Sequence, residues 1–254
     1  MALLEVSALS KRFGGVHAVN DVSFHVRKGM IKAIIGPNGA GKTTLFNMVS
    51  GFVAPDRGVV SFDGEAIQGR PPHRVAARGI SRTFQHIKLF AQMTALENVM
   101  VGRHLRTRAG FVSGMLRLPW TRREDGASRE RALELMELLG IAALADVEAT
   151  SLAYGQQRAV ELARALASEP QLVLLDEPAA GLNMRETADL AKLIARIRDR
   201  GVTVLLVEHD MSLVMSISDE VAVLSYGEKI ADADPRSVQR DPQVVKVYLG
   251  EEEC

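Results

Sequence analysis

Cysteine is all but missing from this 254-residue sequence, occurring once, at Cys254. A single thiol builds neither an internal disulfide framework nor a cysteine zinc site, and its scarcity suits a reducing cytoplasm. Net charge is missing as well: 31 lysines and arginines offset 31 aspartates and glutamates, with a pI near 7.0. Such a balance leaves no electrostatic footprint for nucleic acid, so no nucleic-acid partner is expected. Long apolar runs are also lacking. A membrane-spanning helix takes roughly 20 apolar residues, and the runs at 31–35, 172–175 and 202–207 fall far short. Work done across a membrane therefore needs another chain to supply the path. No basic stretch followed by a long apolar one opens the sequence, so no secretory signal is expected. Gly/Ser-rich tracts, Pro-rich tracts and repeats are absent, and a 47% hydrophobic share places the chain among packed globular proteins rather than disordered ones.

What is present comes in two styles. The alternation in Asn20-Asp21-Val22-Ser23-Phe24-His25-Val26 predicts half-buried strands of an antiparallel layer. Residues 31–35, 172–175 and 202–207 are continuous apolar runs, as expected for strands buried on both faces, and a helical stretch from about Met184 to Arg200 separates the last two. Parallel strands with crossover helices have this pattern. From about 86 to 154 the strand-like runs cease and helical periodicity takes over, clearest at 129–139 and stopped by Gly140. A helical lobe inserted into an α/β core accounts for the order, with the core at 1–85 and 160–254 and the lobe at 86–159.

The first buried strand runs into Gly36-Pro37-Asn38-Gly39-Ala40-Gly41-Lys42-Thr43, which satisfies every fixed position of G-x-x-x-x-G-K-[ST]. The glycines let backbone N–H groups turn inward as an anion nest, and the helix predicted at 42–50 points its positive end at the same place. Lys42 then reaches the β- and γ-phosphates, the Thr43 hydroxyl ligates Mg²⁺, and Thr44 lies beside it on the helix. A chance match in a chain this long arises about once in a hundred, and placement between a buried strand and a helix is what the mechanism requires. A nucleotide is the expected ligand.

Two more strand ends carry reactive side chains. Asp176 and Glu177 follow the run at 172–175, at the edge where parallel sheets hold ligands. Asp176 suits the magnesium site, and Glu177 suits the general base that polarises an attacking water. Without the P-loop, the pair would read as the start of a solvated loop. The run at 202–207 ends in Glu208-His209-Asp210, which puts His209 at the same edge, placed to donate a hydrogen bond to the γ-phosphate. A lone histidine is otherwise most often structural or exposed.

The P-loop, Gln85, Leu152-Ala153-Tyr154-Gly155-Gln156, Asp176-Glu177 and His209 stand in the order found in ATP-binding subunits of ABC transporters, and nearly the whole chain resembles that family. The resemblance implies a single ABC ATPase domain over 1–254: a P-loop NTPase (RecA-like) α/β core with an antiparallel β layer and an inserted helical lobe. It further implies ATP and Mg²⁺ as cofactors, and hydrolysis with Glu177, His209 and Gln85 at the catalytic centre. By the same resemblance Gln85 touches Mg²⁺ or the water and links lobe to core. Phe13 stacks on adenine, with a core phenylalanine as the competing reading. Ala153, Tyr154, Gly155 and Gln156 serve the ATP of a facing subunit. The family signature usually reads Leu-Ser-Gly-Gly-Gln. Here Ala153 replaces serine, removing a hydroxyl contact worth about 1 kcal/mol, and Tyr154 replaces glycine. A helix predicted from Arg158 to Ser168 still aims its positive end at a phosphate. Asn183 stands where aspartate is common and reads either as a D-loop residue or as the cap of the next helix.

The stretches at 152–158, 176–183 and 208–211, with the terminal Tyr248-Leu249-Gly250-Glu251, most resemble the LivG-type subunit of branched-chain amino acid importers. That implies two permease chains, a second ATPase subunit of LivF type and, indirectly, a solute-binding protein, with this chain at the cytoplasmic face of the membrane. Related systems carry urea or short amides. The alternatives are a lipopolysaccharide-export ATPase and a soluble ATPase acting on nucleic acid or ribosomes. The soluble class often has two nucleotide domains in one chain, whereas this sequence has one P-loop. Arg103, Arg106, Arg108, Arg117, Arg122 and Arg123 surround an apolar stretch from Phe111 to Trp120. These residues read either as a solvated helical surface or as a segment near permease or lipid head groups.

Overall fold

The computed structural model describes residues 2–106 and 119–249. Arg108, Arg117, the stretch from Phe111 to Leu118, the side chains of 119–123, and Gly250-Glu251 lie outside what it describes. Two compact units divide the chain: Met1–Arg82 with Gln171–Cys254, and Thr83–Pro170.

The first unit holds two sheets. One is antiparallel, in the order β2-β1-β4-β5, from β1 (Ala2–Phe13), β2 (Val16–Arg27), β4 (Arg57–Phe62) and β5 (Glu65–Ala66). The other has the order β10-β9-β3-β8-β7-β6, from β3 (Ile31–Ile35), β6 (Ile80–Arg82), β7 (Leu172–Asp176), β8 (Thr203–Val207), β9 (Glu220–Ser225) and β10 (Glu228–Ala233). Its neighbours run parallel except for β9 with β10. In β2, Val22, Phe24 and Val26 are buried while Ser23, His25 and Arg27 are exposed, the period of a strand with one wet face. Strands β3, β7 and β8 are buried at every residue, which is why their sequences are continuous apolar runs. The Lys42–Val49 helix drives Leu45 and Phe46 into a core shared with Leu4, Val22 and Phe24 of one sheet and Ile34 and Leu205 of the other.

In the second unit the helices Ala95–Val101, Pro119–Leu138 and Tyr154–Ala167 pack on one another. The unit is wider than the expected 86–159, because the whole Tyr154–Ala167 helix packs with the other two. Thr94 opens its helix with a capping box: Glu97 N–H donates to Thr94 Oγ1 at 3.2 Å, and Thr94 N–H donates to Glu97 Oε2 at 2.8 Å.

Lys32 is the anomaly of the buried strands. Its ammonium has no exposed surface and lies 2.6 Å from Asp232, 3.1 Å from Glu220 and 5.8 Å from the centre of the Phe24 ring. Taking away this cation would leave the partly desolvated carboxylates only their outer partners, Arg27 at 2.7 Å from Glu220 and Lys229 at 3.0 Å from Asp232. Lys32→Met is expected to lower the unfolding free energy in urea by about 2 kcal/mol. Lys32→Met combined with Glu220→Gln and Asp232→Asn should recover most of that loss.

Candidate nucleotide site

Strand register sets the edge on which the site is built. Asp176 of β7 is opposite Val207 of β8, Val207 is opposite Ile34 of β3, and Ile34 is opposite Ala222 of β9. Gly36, Glu177 and Glu208 therefore leave the sheet at nearly one level, at the C-terminal ends of parallel strands. With neighbouring strands about 4.8 Å apart, β3 and β7 are separated by about 10 Å.

The loop after β3 is shaped by close approach. Gly36 and Gly41 have φ of 149° and 99°, and a Cβ on them would lie 2.1 Å from Leu224 O and 2.2 Å from Ala18 O respectively. Neither position admits another residue without displacing backbone. From the β9–β10 turn, Gly227 N–H donates to Ala40 O at 3.1 Å and braces the loop. The helix that follows has Gly41 at its N-cap, no side-chain cap bond and no acid in its first turn, so its positive end is open to an anion. Lys42 Nζ donates to Gly36 O at 2.6 Å and Pro37 O at 2.8 Å, folding the ammonium over the loop. Asn38 through Thr44 line a pocket of about 320 Å³ together with Val16, His17 and Ala18 of β2, Glu177 and Tyr226.

Glu177 forms one wall of this pocket in a left-handed conformation, φ 46°. That region costs a non-glycine residue about 1 kcal/mol. It is held there by its own N–H donating to Val207 O at 2.9 Å and by Ala180 N–H donating to Glu177 O at 3.1 Å. The His209 imidazole is largely exposed, with Nδ1 4.0 Å from Glu177 Oε2 and 3.7 Å from Glu208 Oε2. Asp176 is turned differently. Its nearly buried carboxylate accepts from Arg82 Nη2 at 2.8 Å, while Arg82 Nη1 donates to Asn47 Oδ1 at 2.8 Å and Ser50 Oγ at 2.7 Å. The structure thus gathers the P-loop, Glu177 and His209 at one edge and leaves Asp176 against an arginine that no sequence signal singled out.

Other residues diverge from expectation in instructive ways. Phe13 is 50% exposed, which removes the core reading, and it does not line the pocket. Its cross-strand neighbour Val16 does, and the Lys11 ammonium stands 5.6 Å from the centre of the Phe13 ring. Asn183 is a helix cap: its Oδ1 accepts from Arg185 and Glu186 N–H at 3.0 and 3.1 Å. The signature helix begins at Tyr154 rather than Arg158, because Ala153 N–H donates to Gln156 Oε1 at 3.0 Å and closes the first turn early. Gln85 and the signature both belong to the Thr83–Pro170 unit. Glu208, also unforeseen, is fully buried and accepts from the N–H groups of Ala179, His209 and Asp210 at 2.7, 2.9 and 3.2 Å.

A magnesium ion takes one or two protein oxygens and completes its shell with water and substrate phosphate. Of the residues expected to hold the ion, Thr43 lines the pocket, whereas the Asp176 carboxylate is paired with Arg82 and would have to share that partner with the metal, and Gln85 belongs to the Thr83–Pro170 unit.

A parallel sheet whose central strand ends in this glycine-bound loop, with acids closing the neighbouring strands, defines a P-loop nucleotide-binding ATPase. The chain is 48% identical over 250 residues to the high-affinity branched-chain amino acid transport ATP-binding protein BraF of Pseudomonas aeruginosa, covering 98% of each. It is 43% identical over 250 residues to LivG of Escherichia coli K12, again with 98% of each covered. Among solved structures it is similar to the ADP conformation of MJ1267, an ATP-binding cassette of an ABC transporter, at TM-score 0.86 and 33% identity, covering 98% of this chain and 99% of that one. The ABC transporter family model matches residues 19–180, and a branched-chain amino acid ATP-binding cassette transporter model matches 228–254. The chain belongs to the ABC transporter family, whose ATP-binding proteins hydrolyse ATP to power transport.

Because Gly36 combines positive φ with a carbonyl in the path of any Cβ, Gly36→Ala is expected to weaken ATP binding about tenfold or more while far-UV circular dichroism stays unchanged. Titration with a fluorescent ATP analogue measures it.

Proposed function

We propose that this chain is the ATP-hydrolysing subunit of an importer for branched-chain or similar hydrophobic amino acids. The observation that carries the reading is likeness over the full chain to BraF and LivG, extending into the C-terminal segment at 228–254. The P-loop holds the phosphates of ATP, with Lys42 exchanging loop carbonyls for phosphate oxygens and Phe13 near the base. Thr43, Asp176 and Gln85 would hold Mg²⁺, which when bound would neutralise phosphate charge. Glu177 takes the proton of the attacking water, and His209 donates to the γ-phosphate.

Hydrolysis is useful to transport only if ATP binds the closed arrangement better than the open one. A second ATPase subunit of LivF type supplies the signature for this P-loop, and Ala153, Tyr154, Gly155 and Gln156 serve that partner's ATP in return. Two permease chains carry the solute and a solute-binding protein delivers it. No described helix is long and apolar enough to cross a membrane. The likeness to BraF and LivG supports docking on the cytoplasmic side of permease chains.

Glu177→Gln is expected to bind ATP within about twofold of the unaltered chain while turnover falls by about 10² to 10⁴. Full turnover in that variant removes Glu177 from its role. Co-purification tests the transporter assignment: permeases with a second ATPase support import, whereas paired copies of this chain on export permeases point to the lipopolysaccharide-export class, represented by LptB of Haemophilus influenzae at 37% identity.

A further inference from the structure

Arg158 has no part in the chemistry above, yet it heads the largest fully buried side chains among the described residues. It lies in the second turn of the signature helix. Its Nη1 donates to Phe84 O and its Nη2 to Gln85 O, both at 3.1 Å. Nη1 also donates to Glu161 Oε2 at 2.7 Å, and the Tyr154 hydroxyl lies 3.5 Å from Nη2 with the ring centre 5.9 Å from the guanidinium carbon. Glu161 is 2% exposed. Burial pushes its carboxyl above the usual range, and the Arg158 charge pulls against that shift.

Burying such a pair costs on the order of several kcal/mol in desolvation, and apolar residues of similar volume fill a core as well or better. What the guanidinium adds is a planar fork that holds two carbonyls in one geometry. Here the two carbonyls belong to Phe84 and Gln85, and the aromatic group beneath the fork is the signature residue Tyr154.

We propose that Arg158 is a positioning residue that fastens the Gln85 segment to the first turn of the signature helix. Engagement of this chain's own nucleotide by Gln85 is thereby passed to Ala153–Gln156, the part that serves the facing subunit's ATP. One side chain then links two composite sites, because a shift of the Gln85 carbonyl moves the signature turn with it. The inference rests on the reading of Gln85 and the signature given above.

Hydrogen exchange resolves it. In the Glu177→Gln full chain, saturating ATP with Mg²⁺ is expected to slow exchange by about tenfold at amides 84–86 and 154–157 together. Arg158→Met with Glu161→Leu removes both charges at once and so leaves no lone buried ion. In that background ATP affinity should hold, the response at 84–86 should persist, and the response at 154–157 should vanish. Arg158→Lys, which keeps the charge but not the fork, should give the same split. If both segments still respond together in either folded variant, the proposal is overturned while the reading of Gln85 stands. If neither segment responds in the parent chain, the reading of Gln85 and the signature fails, and this proposal with it.

Discussion

The site depends on one constraint, the parallel register of β7, β8 and β3 inside a sheet buried on both faces. Once Asp176, Val207 and Ile34 are set at one level, every residue that follows them must leave the sheet on the same line. A one-residue slip would turn each side chain to the opposite face. Complete burial of all three strands makes that slip prohibitive, since it would exchange the surroundings of every apolar side chain along them. The precision of the P-loop edge is thus inherited from core packing rather than built by the polar residues.

Polar residues serve instead to join loops. Arg82 connects Asp176 at the end of β7 to Asn47 and Ser50 at the far end of the P-loop helix. Glu208 gathers three N–H groups from two different loops. Each is a charged group with little or no access to water, and each is held by hydrogen bonds that meet the cost of its burial. The strained backbone of Glu177 sits between these ties, held by Val207 on one side and Ala180 on the other.

Much of this was legible beforehand, for identifiable reasons. Continuous apolar runs announced β3, β7 and β8, alternation announced β2, and the glycine spacing of the P-loop announced a backbone that the observed dihedrals require. The order of strands in the sheet was not legible, because β7 and β8 read alike, the three residues of β6 form no apolar run, and nothing local says which strand lies beside β3. Arg82, Arg158, Glu161 and Glu208 were missed for a common cause: a charge in a sequence is ordinarily a charge in water, and only tertiary structure shows it buried. The early start of the signature helix was missed because the bond that closes its first turn, from Ala153 N–H to the Gln156 side chain, leaves no periodic signal in the sequence.

Strand β10 has a consequence beyond its pairing with β9. It is the outer strand of the large sheet, and it carries Glu228, Lys229 and Asp232 along its six residues. Charged edges discourage another chain from extending a sheet by strand addition. The segment matched by the branched-chain transporter model begins at this strand. Asp232 is held by Lys32 and Glu228 by Asn20, so the charges of this margin are tied into the unit's own contacts while leaving it poorly suited to recruiting a neighbour through backbone pairing.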